Sequence, residues 1–172
     1  MKRNPSLPKS VQSTRLHVME PALMIREANF ADLQALISLY ADDDLGMTRD
    51  GGAPDERYLA AFDAIEHDPN HMLAIGEVDT EIVATLLLSF IPGLSRHGAW
   101  RAQIEAMRVA RAARGHGLGR KMLDWAIEQA RLRGCDLVQL TSDRRRPDAH
   151  KFYERAGFAP THLGFKLILG DQ

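Results

Sequence analysis

The chain has 172 residues, 45% of them hydrophobic and 26% charged, with 22 Lys and Arg against 23 Asp and Glu and a formal net charge of -1. That length suits one domain of ordinary size, and two independent cores would be a squeeze. Cys135 is the only cysteine, so an intrachain disulfide framework and a cysteine zinc cluster are both excluded, and a reducing cytoplasm is the expected location. The near-neutral total conceals a split. From Arg108 to Arg155 there are 12 Lys and Arg against 6 Asp and Glu, a balance of +6. From Glu20 to Glu81 there are 3 against 15, a balance of −12. The longest apolar run, Ile82 to Ile91, is half of what a membrane helix needs. A pI of about 6.7 gives no general support for a nucleic-acid binder.

Residues 1–20 carry Lys2, Arg3, Lys9 and Arg15 with no acid before Glu20. They read as a loose N-terminal extension, although an acid-poor basic start is also the composition of a transit peptide. Residues 21–172 read as a single domain. Leu23 to Ala28 is a short strand. Leu33, Leu36, Ile37 and Tyr40 recur at i, i+3, i+4 and i+7, one face of a helix that runs into Asp42-Asp43-Asp44 and a Gly-rich loop, Gly46 to Gly52. Pro54 is placed to open a second helix, with Tyr58, Phe62 and Ile65 on its apolar face and Pro69 as its stop. His71 to Val78 and Ile82 to Phe90 form a hairpin around Asp79-Thr80-Glu81. Ala99 to Val109 is a third strand of that group, alternating Ile104 and Ala106 against Glu105, Met107 and Val109.

A helix is predicted over Leu118 to Arg133, ended by Gly134. Leu137 to Thr141 is a short buried strand and Pro147 to Ala156 a short helix closed by Gly157. Strands over Phe158 to Thr161 and Phe165 to Leu169 finish the chain. The order describes an α+β domain: a central mixed, mostly antiparallel sheet of six to seven strands flanked by about four helices, with one parallel crossover across the long helix.

The segment Val109-Ala-Arg-Ala-Ala-Arg114-Gly115-His116-Gly117-Leu118-Gly119-Arg120-Lys121 is the most informative stretch. A strand ends, a glycine-rich turn follows and an amphipathic helix begins. Glycines let backbone N–H groups converge without a Cβ in the way, and the helix start adds its unpaired amides and positive dipole end. Together these make a phosphate or pyrophosphate cradle. Arg114, Arg120 and Lys121 add positive charge around it. A P-loop fails because Arg120-Lys121-Met122 follows Gly119 where Lys-Ser/Thr is required. A dinucleotide fingerprint fails because Met122 or Arg120 stands where its third glycine belongs. A plain tight turn is the remaining structural reading, and three glycines in five residues is more than such a turn requires.

The spacing Arg114-x-x-Gly117-x-Gly119 resembles the acyl-CoA signature of the GNAT superfamily of N-acetyltransferases. Downstream, Arg146-Pro-Asp-Ala149-His150-Lys-Phe152-Tyr153-Glu154-Arg-Ala-Gly157-Phe158 resembles that family's closing segment. The similarity spans about residues 99–158 and is looser over 23–90. Residues 1–20 lie outside it. One departure is Arg146, where many members carry Asn. The resemblance implies acetyl-CoA as donor and no metal. Its pyrophosphate would lie on the amides of Arg114, Gly115, His116, Gly117, Leu118 and Gly119, with Arg120 and Phe152 beside it. The strand end Met107, Arg108 and Val109 would pair with the pantetheine arm. An amide there would polarise the thioester carbonyl.

The implied reaction is direct attack by an amine in a ternary complex. Glu105 is the candidate base, alone or through water; the alternative is an ordinary exposed strand glutamate. A carboxylate in that apolar neighbourhood is costly unless used. Tyr153 is the candidate acid; the alternative is a ring packed between Phe152 and Phe158. Cys135 has no base partner in view and is set aside as a nucleophile. His67 and His71 are spaced i, i+4, but Pro69 breaks the helix that would align them as metal ligands. The expected acceptor is a primary amine of a small molecule, with a cationic one favoured by Asp42, Asp43 and Asp44. A solvated acidic run is the plain alternative for those three. Other readings are a protein lysine or N-terminal acetyltransferase and an acyl-CoA-binding regulatory module without turnover. A nucleic-acid role for Arg144-Arg145-Arg146 lacks interleaved aromatics, and no membrane partner is expected. A homodimer is possible for similar folds.

Overall fold

The sheet is built outward from a tight hairpin. Asp79 and Thr80 both take left-handed φ values, 49° and 69°, which gives the two-residue turn the twist its strands require. They join β2 (His71–Val78) to β3 (Glu81–Ile91). The structure, a computed structural model, describes residues 22–42 and 46–169. The basic N-terminal extension, Asp43 and Asp44 therefore lie outside the described residues. Among the described residues the sheet order is β1-β2-β3-β4-β5, with β1 (Met24–Glu27), β4 (Arg101–Val109) and β5 (Leu137–Leu140). The first three pairings are antiparallel and β4–β5 is parallel.

The helices divide between the two faces. On one lie α1 (Leu33–Ala41) and α2 (Glu56–His67), where Leu36, Ile37 and Phe62 meet Leu73 and Ile75 of β2. On the other lie α4 (Leu118–Leu132) and α5 (Pro147–Arg155). There Met122, Leu123 and Ala126 cover Ala74, Leu86, Leu88 and Ile104, and Phe152 and Tyr153 close the margin. Between β3 and β4 a four-residue α3 (Ser95–Gly98) contains Arg96 and His97 with positive φ, a turn rather than a regular helix. The domain is thus a mixed α+β layer structure, with a bidentate Arg26–Asp32 pair and an Arg26–Glu77 contact tying β1 to its neighbours.

Three expectations are corrected. Among the described residues the sheet has five strands and not six or seven, flanked by the helices α1, α2, α4 and α5. Neither Phe158–Thr161 nor Phe165–Leu169 forms a strand: Phe158 donates its N–H to the Tyr153 carbonyl as part of the α5 terminus, and 159–169 pair with nothing in the sheet. Alternating apolar residues supply a strand's face, but a strand also needs an edge to pair with, and period-2 patterning does not specify that edge. Finally, Pro54 does not open α2. Asp55 is its N-cap, its carboxylate accepting from the amides of Arg57 and Tyr58 at 3.0 Å.

Candidate active site

The geometry of the site begins with one backbone irregularity. β4 pairs with β5 from Arg101 to Ile104 and no further. Glu105 still opposes Leu87 of β3, but the next pair is Arg108 opposite Thr85, so Ala106 and Met107 together face the single residue Leu86. Ala106 is at φ 50°, a left-handed value rare for a residue with a Cβ. This is a β-bulge, and it does two things. It releases β4 from β5, leaving residues 105–109 paired on the β3 side only. It also shifts the side-chain alternation by one. Before it, Ala102 and Ile104 face α4; after it, Met107 and Val109 do. The simple alternation that set Met107 and Val109 on the face of Glu105 is therefore wrong, because the extra residue inverts the phase.

The freed edge presents backbone groups. Ala110 donates to Val83 at 2.8 Å, so the antiparallel alternation turns the N–H and C=O of Val109 away from β3. The Val109 carbonyl accepts instead from Nε of Arg114 at 3.0 Å, and the Met107 carbonyl accepts from the Arg108 guanidinium at 3.0 Å. Beside this edge lies the glycine loop. Gly115 and Gly117 have φ values of 85° and 73°, a conformation that side chains penalise, and Gly117 is the N-cap of α4. Among the described residues, no backbone hydrogen bond engages the amides of Gly115, His116, Gly117, Leu118 or Gly119. Five amides without a backbone partner thus lie in the exposed turn at the positive end of a 15-residue helix, a donor set suited to an anionic diphosphate. At Gly119 a Cβ would sit 3.5 Å from Val109, 3.7 Å from Phe152 and 3.8 Å from Met107, so loop, strand edge and α5 meet there.

Tyr153 completes the group. Its hydroxyl lies 3.7 Å from Sδ of Met107, and its ring packs edge-on against Phe152 and Phe158 at centroid distances of 5.1 and 6.0 Å. The ring packs beside Phe152 and Phe158, and the hydroxyl also reaches the strand edge at Met107. Burial pushes its pKa above the ordinary tyrosine value of 10, offset in part by Arg108 and Arg146, so the hydroxyl keeps its proton at neutral pH. α5 is aimed by Pro147 at its first turn, by the His150 ring bonded to the Asp143 carbonyl at 2.9 Å and by a closing turn at Gly157.

Not every expected residue joins the site. Glu105 is exposed on the α1/α2 face, immediately before the bulge and opposite to Met107, so the argument from a costly buried carboxylate does not apply. Arg120 turns along α4 to Asp124 at 2.9 Å and does not face the loop. Burial raises the Cys135 thiol pKa, which lowers its thiolate content. Among the described residues no cluster of three or more His, Cys, Asp or Glu side chains converges as a metal site would require.

Two residues acquire roles that sequence reasoning missed. Asp42, grouped with a charge run, accepts from the Arg111 amide at 2.5 Å, while its carbonyl accepts from Arg114 at 3.4 Å. It fastens the end of α1 to the turn after β4 across 69 residues of chain, a long-range contact with no local signal. Tyr40, assigned to the apolar face of α1, is a half-buried phenol whose pKa is raised by burial and lowered in part by hydrogen bonding with Thr85 and the charge of Arg108. Its position at the end of the i, i+7 series was legible; its polar partners on β3 and β4 were not.

A strand splayed by a bulge, a glycine loop at a helix start and a half-buried tyrosine beside the gap meet at this end of the sheet. Residues 33–158 match the model of the acetyltransferase (GNAT) family, and the chain belongs to that family. It is 34% identical over 102 residues to the aminoalkylphosphonate N-acetyltransferase of Salmonella typhimurium LT2, covering 59% of this chain and 66% of that enzyme, just under two thirds of its length. It is 33% identical over 104 residues to the uncharacterised N-acetyltransferase YhdJ of Bacillus subtilis, covering 60% of this chain and 72% of the relative. The crystal structure of a transcriptional regulator from Bacillus halodurans C-125 superposes with a TM-score of 0.84 at 43% identity, covering 86% of this chain and all of the other. No helix among the described residues is long and apolar enough to cross a membrane.

Proposed function

We propose that the protein transfers an acetyl group from acetyl-CoA to the primary amine of a small molecule, by direct attack in a ternary complex. One observation carries the reading: β4 parts from β5 beyond Ile104, beside the Gly115–Gly119 loop and the Tyr153 hydroxyl. Acetyl-CoA supplies an activated acetyl thioester and a thiol leaving group. The amides of residues 114–119 hold diphosphate charge, and the outward Val109 N–H pairs with an extended amide-bearing arm lying in the gap. Arg114 exchanges its Val109 and Asp42 carbonyls for phosphate oxygen, a stronger charge-assisted bond.

Glu105 takes the proton that an alkylammonium must lose before attack. Its solvent contact suits relay through a water, since its side chain starts from the face opposite to Met107. Tyr153 gives its proton to the departing sulfur, and its raised pKa keeps that proton in place until the C–S bond breaks.

The acceptor class rests on the Salmonella relative, named for a small aminoalkyl substrate. A cationic acceptor is supported by the acidic balance of residues 20–81, although Asp42 already serves the Arg111 amide. A second reading, an acyl-CoA-binding regulatory module, is favoured by the name of the Bacillus halodurans relative. Thiol release over a panel of aminoalkylphosphonates, polyamines, an aminoglycoside and a lysine peptide separates these. Release with a small amine is the expected outcome. Acetyl-CoA binding without release for any amine would favour the regulatory module, and release with the peptide alone would favour a protein acetyltransferase.

A further inference from the structure

Three consecutive arginines lead into α5, and they do not share one environment. Arg144 and Arg145 are exposed, and Arg145 binds Asp143, whose carboxylate accepts from Nε and Nη2 at 3.0 and 2.8 Å. Arg146 is half-buried and stands at the N-cap of α5. Capping does not explain it there, because a guanidinium has no acceptor to offer the first-turn amides. Drawing a charge partly out of water costs free energy unless the charge is used.

Seven residues on, two helical turns, Tyr153 shares that face of α5. A second half-buried guanidinium approaches the same tyrosine from the strand. Arg108 follows Met107, whose Sδ lies 3.7 Å from the Tyr153 hydroxyl. Beyond the bulge Met107 faces α4, so Arg108 starts on the opposite face, across from Thr85. Glu105, across from Leu87, starts on that face too. Arg108 and Arg146 each pull the Tyr153 pKa down against the effect of burial, which places both charges near the hydroxyl. The acids around them have other partners: Asp143 holds Arg145, and Asp50 accepts from the Tyr58 hydroxyl at 3.3 Å.

We propose that the acceptor carries an acidic group a few carbons from its primary amine, and that Arg146 and Arg108 hold that group. The proposal rests on the acetyl-transfer reading and narrows its acceptor. The amine end lies toward Glu105 and the acidic end toward the two arginines, so the acceptor is a zwitterion and not a polycation. A phosphonate, phosphate or carboxylate accepts from guanidinium forks through charge-assisted bonds. The acetyl step is unchanged: nitrogen bonds the acetyl carbon, the C–S bond breaks and the sulfur takes the Tyr153 proton. The acceptor's anion only positions the amine.

Thiol release at saturating acetyl-CoA tests it, with 3-aminopropylphosphonate, 4-aminobutyrate, butylamine and 1,4-diaminobutane as acceptors. At least one of the two aminoalkyl acids is expected to exceed butylamine and the diamine in kcat/KM by about tenfold or more. Arg146→Gln should raise the KM of that acid by about tenfold, with kcat and the KM of acetyl-CoA little changed. Arg146→Lys should recover part of the loss, and Arg144→Gln should match the wild type. A diamine or butylamine used better than both acids overturns the proposal. So does an Arg146→Gln chain in which only the acetyl-CoA KM rises, because that guanidinium then serves the donor. Calorimetric titration of both acids onto the CoA-bound protein reads the anion site without turnover. Binding that Arg146→Gln abolishes, with no thiol release from any amine, keeps the anion site and removes acetyl transfer. Binding of neither acid, with release from butylamine, removes the anion site and keeps acetyl transfer.

Discussion

The two halves of β4 differ in pairing, exposure and backbone conformation. From Arg101 to Ile104 the strand is paired on both sides and contributes Ala102 and Ile104 to the core. From Glu105 to Val109 it is paired on one side, partly exposed and bent by Ala106 at φ 50°. The first half contributes to the core; the second leaves its edge and amides unpaired on the β5 side, next to Tyr153. Within β4 the backbone irregularity is confined to the half that we propose serves the chemistry.

Substitutions that act on one half and spare the other test that division. The largest effect is expected at Tyr153→Phe, which removes the proposed acid and should lower kcat by about 10²-fold or more with the acetyl-CoA dissociation constant little changed. Steady-state kinetics alongside calorimetric titration measures both; an unchanged kcat would remove Tyr153 from the mechanism. Because burial raises its pKa above 10, the wild-type rate should not fall between pH 7 and 9 through loss of this proton. Next is Ile104→Ala in the paired half, where a buried side chain is lost. Denaturant unfolding should show a cost of about 2–5 kcal/mol, with binding of acetyl-CoA to the folded fraction preserved. The smallest effect is at the junction. Glycine within a strand ordinarily costs about 0.5–1 kcal/mol, yet Ala106→Gly relieves a left-handed alanine and should be neutral or stabilising by about 1 kcal/mol. A clear destabilisation there would mean that the bulge is not where the strain lies.

Much of this organisation was legible from residue types. The hairpin, both long helices and the glycine loop depend on local signals: paired turn residues, i, i+4 apolar spacing and glycines ahead of an amphipathic run. The bulge was not, because Ile104 and Ala106 set against Glu105, Met107 and Val109 fit an unbroken alternation, and only pairing with β3 and β5 shows where the phase slips. Arg120 was placed near the loop by sequence proximity, but Asp124 one turn along the helix holds it. Asp42 was grouped with its acidic neighbours, while its actual partner lies 69 residues away. The final strands failed for a related reason: the pattern of 163–169 is that of a strand, but this copy pairs it with nothing.

The charge split also acquires a location. Arg108, Arg111 and Arg114 lie on or beside the freed half of β4 and the loop, where an anionic diphosphate would rest. Of the acidic residues from 20 to 81, Glu56, Asp63 and Glu66 lie on α2 and Glu27, Glu77 and Glu81 on the first three strands, whereas α1 carries none; Asp42, just past α1, accepts from the Arg111 amide on the basic side.

The most direct measurement is thermal denaturation of the wild type and Gly117→Asp with increasing acetyl-CoA. Gly117 caps α4 at φ 73° and a Cβ there meets nothing within 4 Å, so the substitution places a negative charge at the cradle without a steric clash, and the left-handed backbone lowers its own starting Tm. Saturation to about 100 times the dissociation constant should stabilise the wild type by about 2.7 kcal/mol and raise its Tm, while Gly117→Asp should melt cooperatively with no shift. No shift of the wild type at millimolar acetyl-CoA would contradict the assignment of the gap and loop as the donor site.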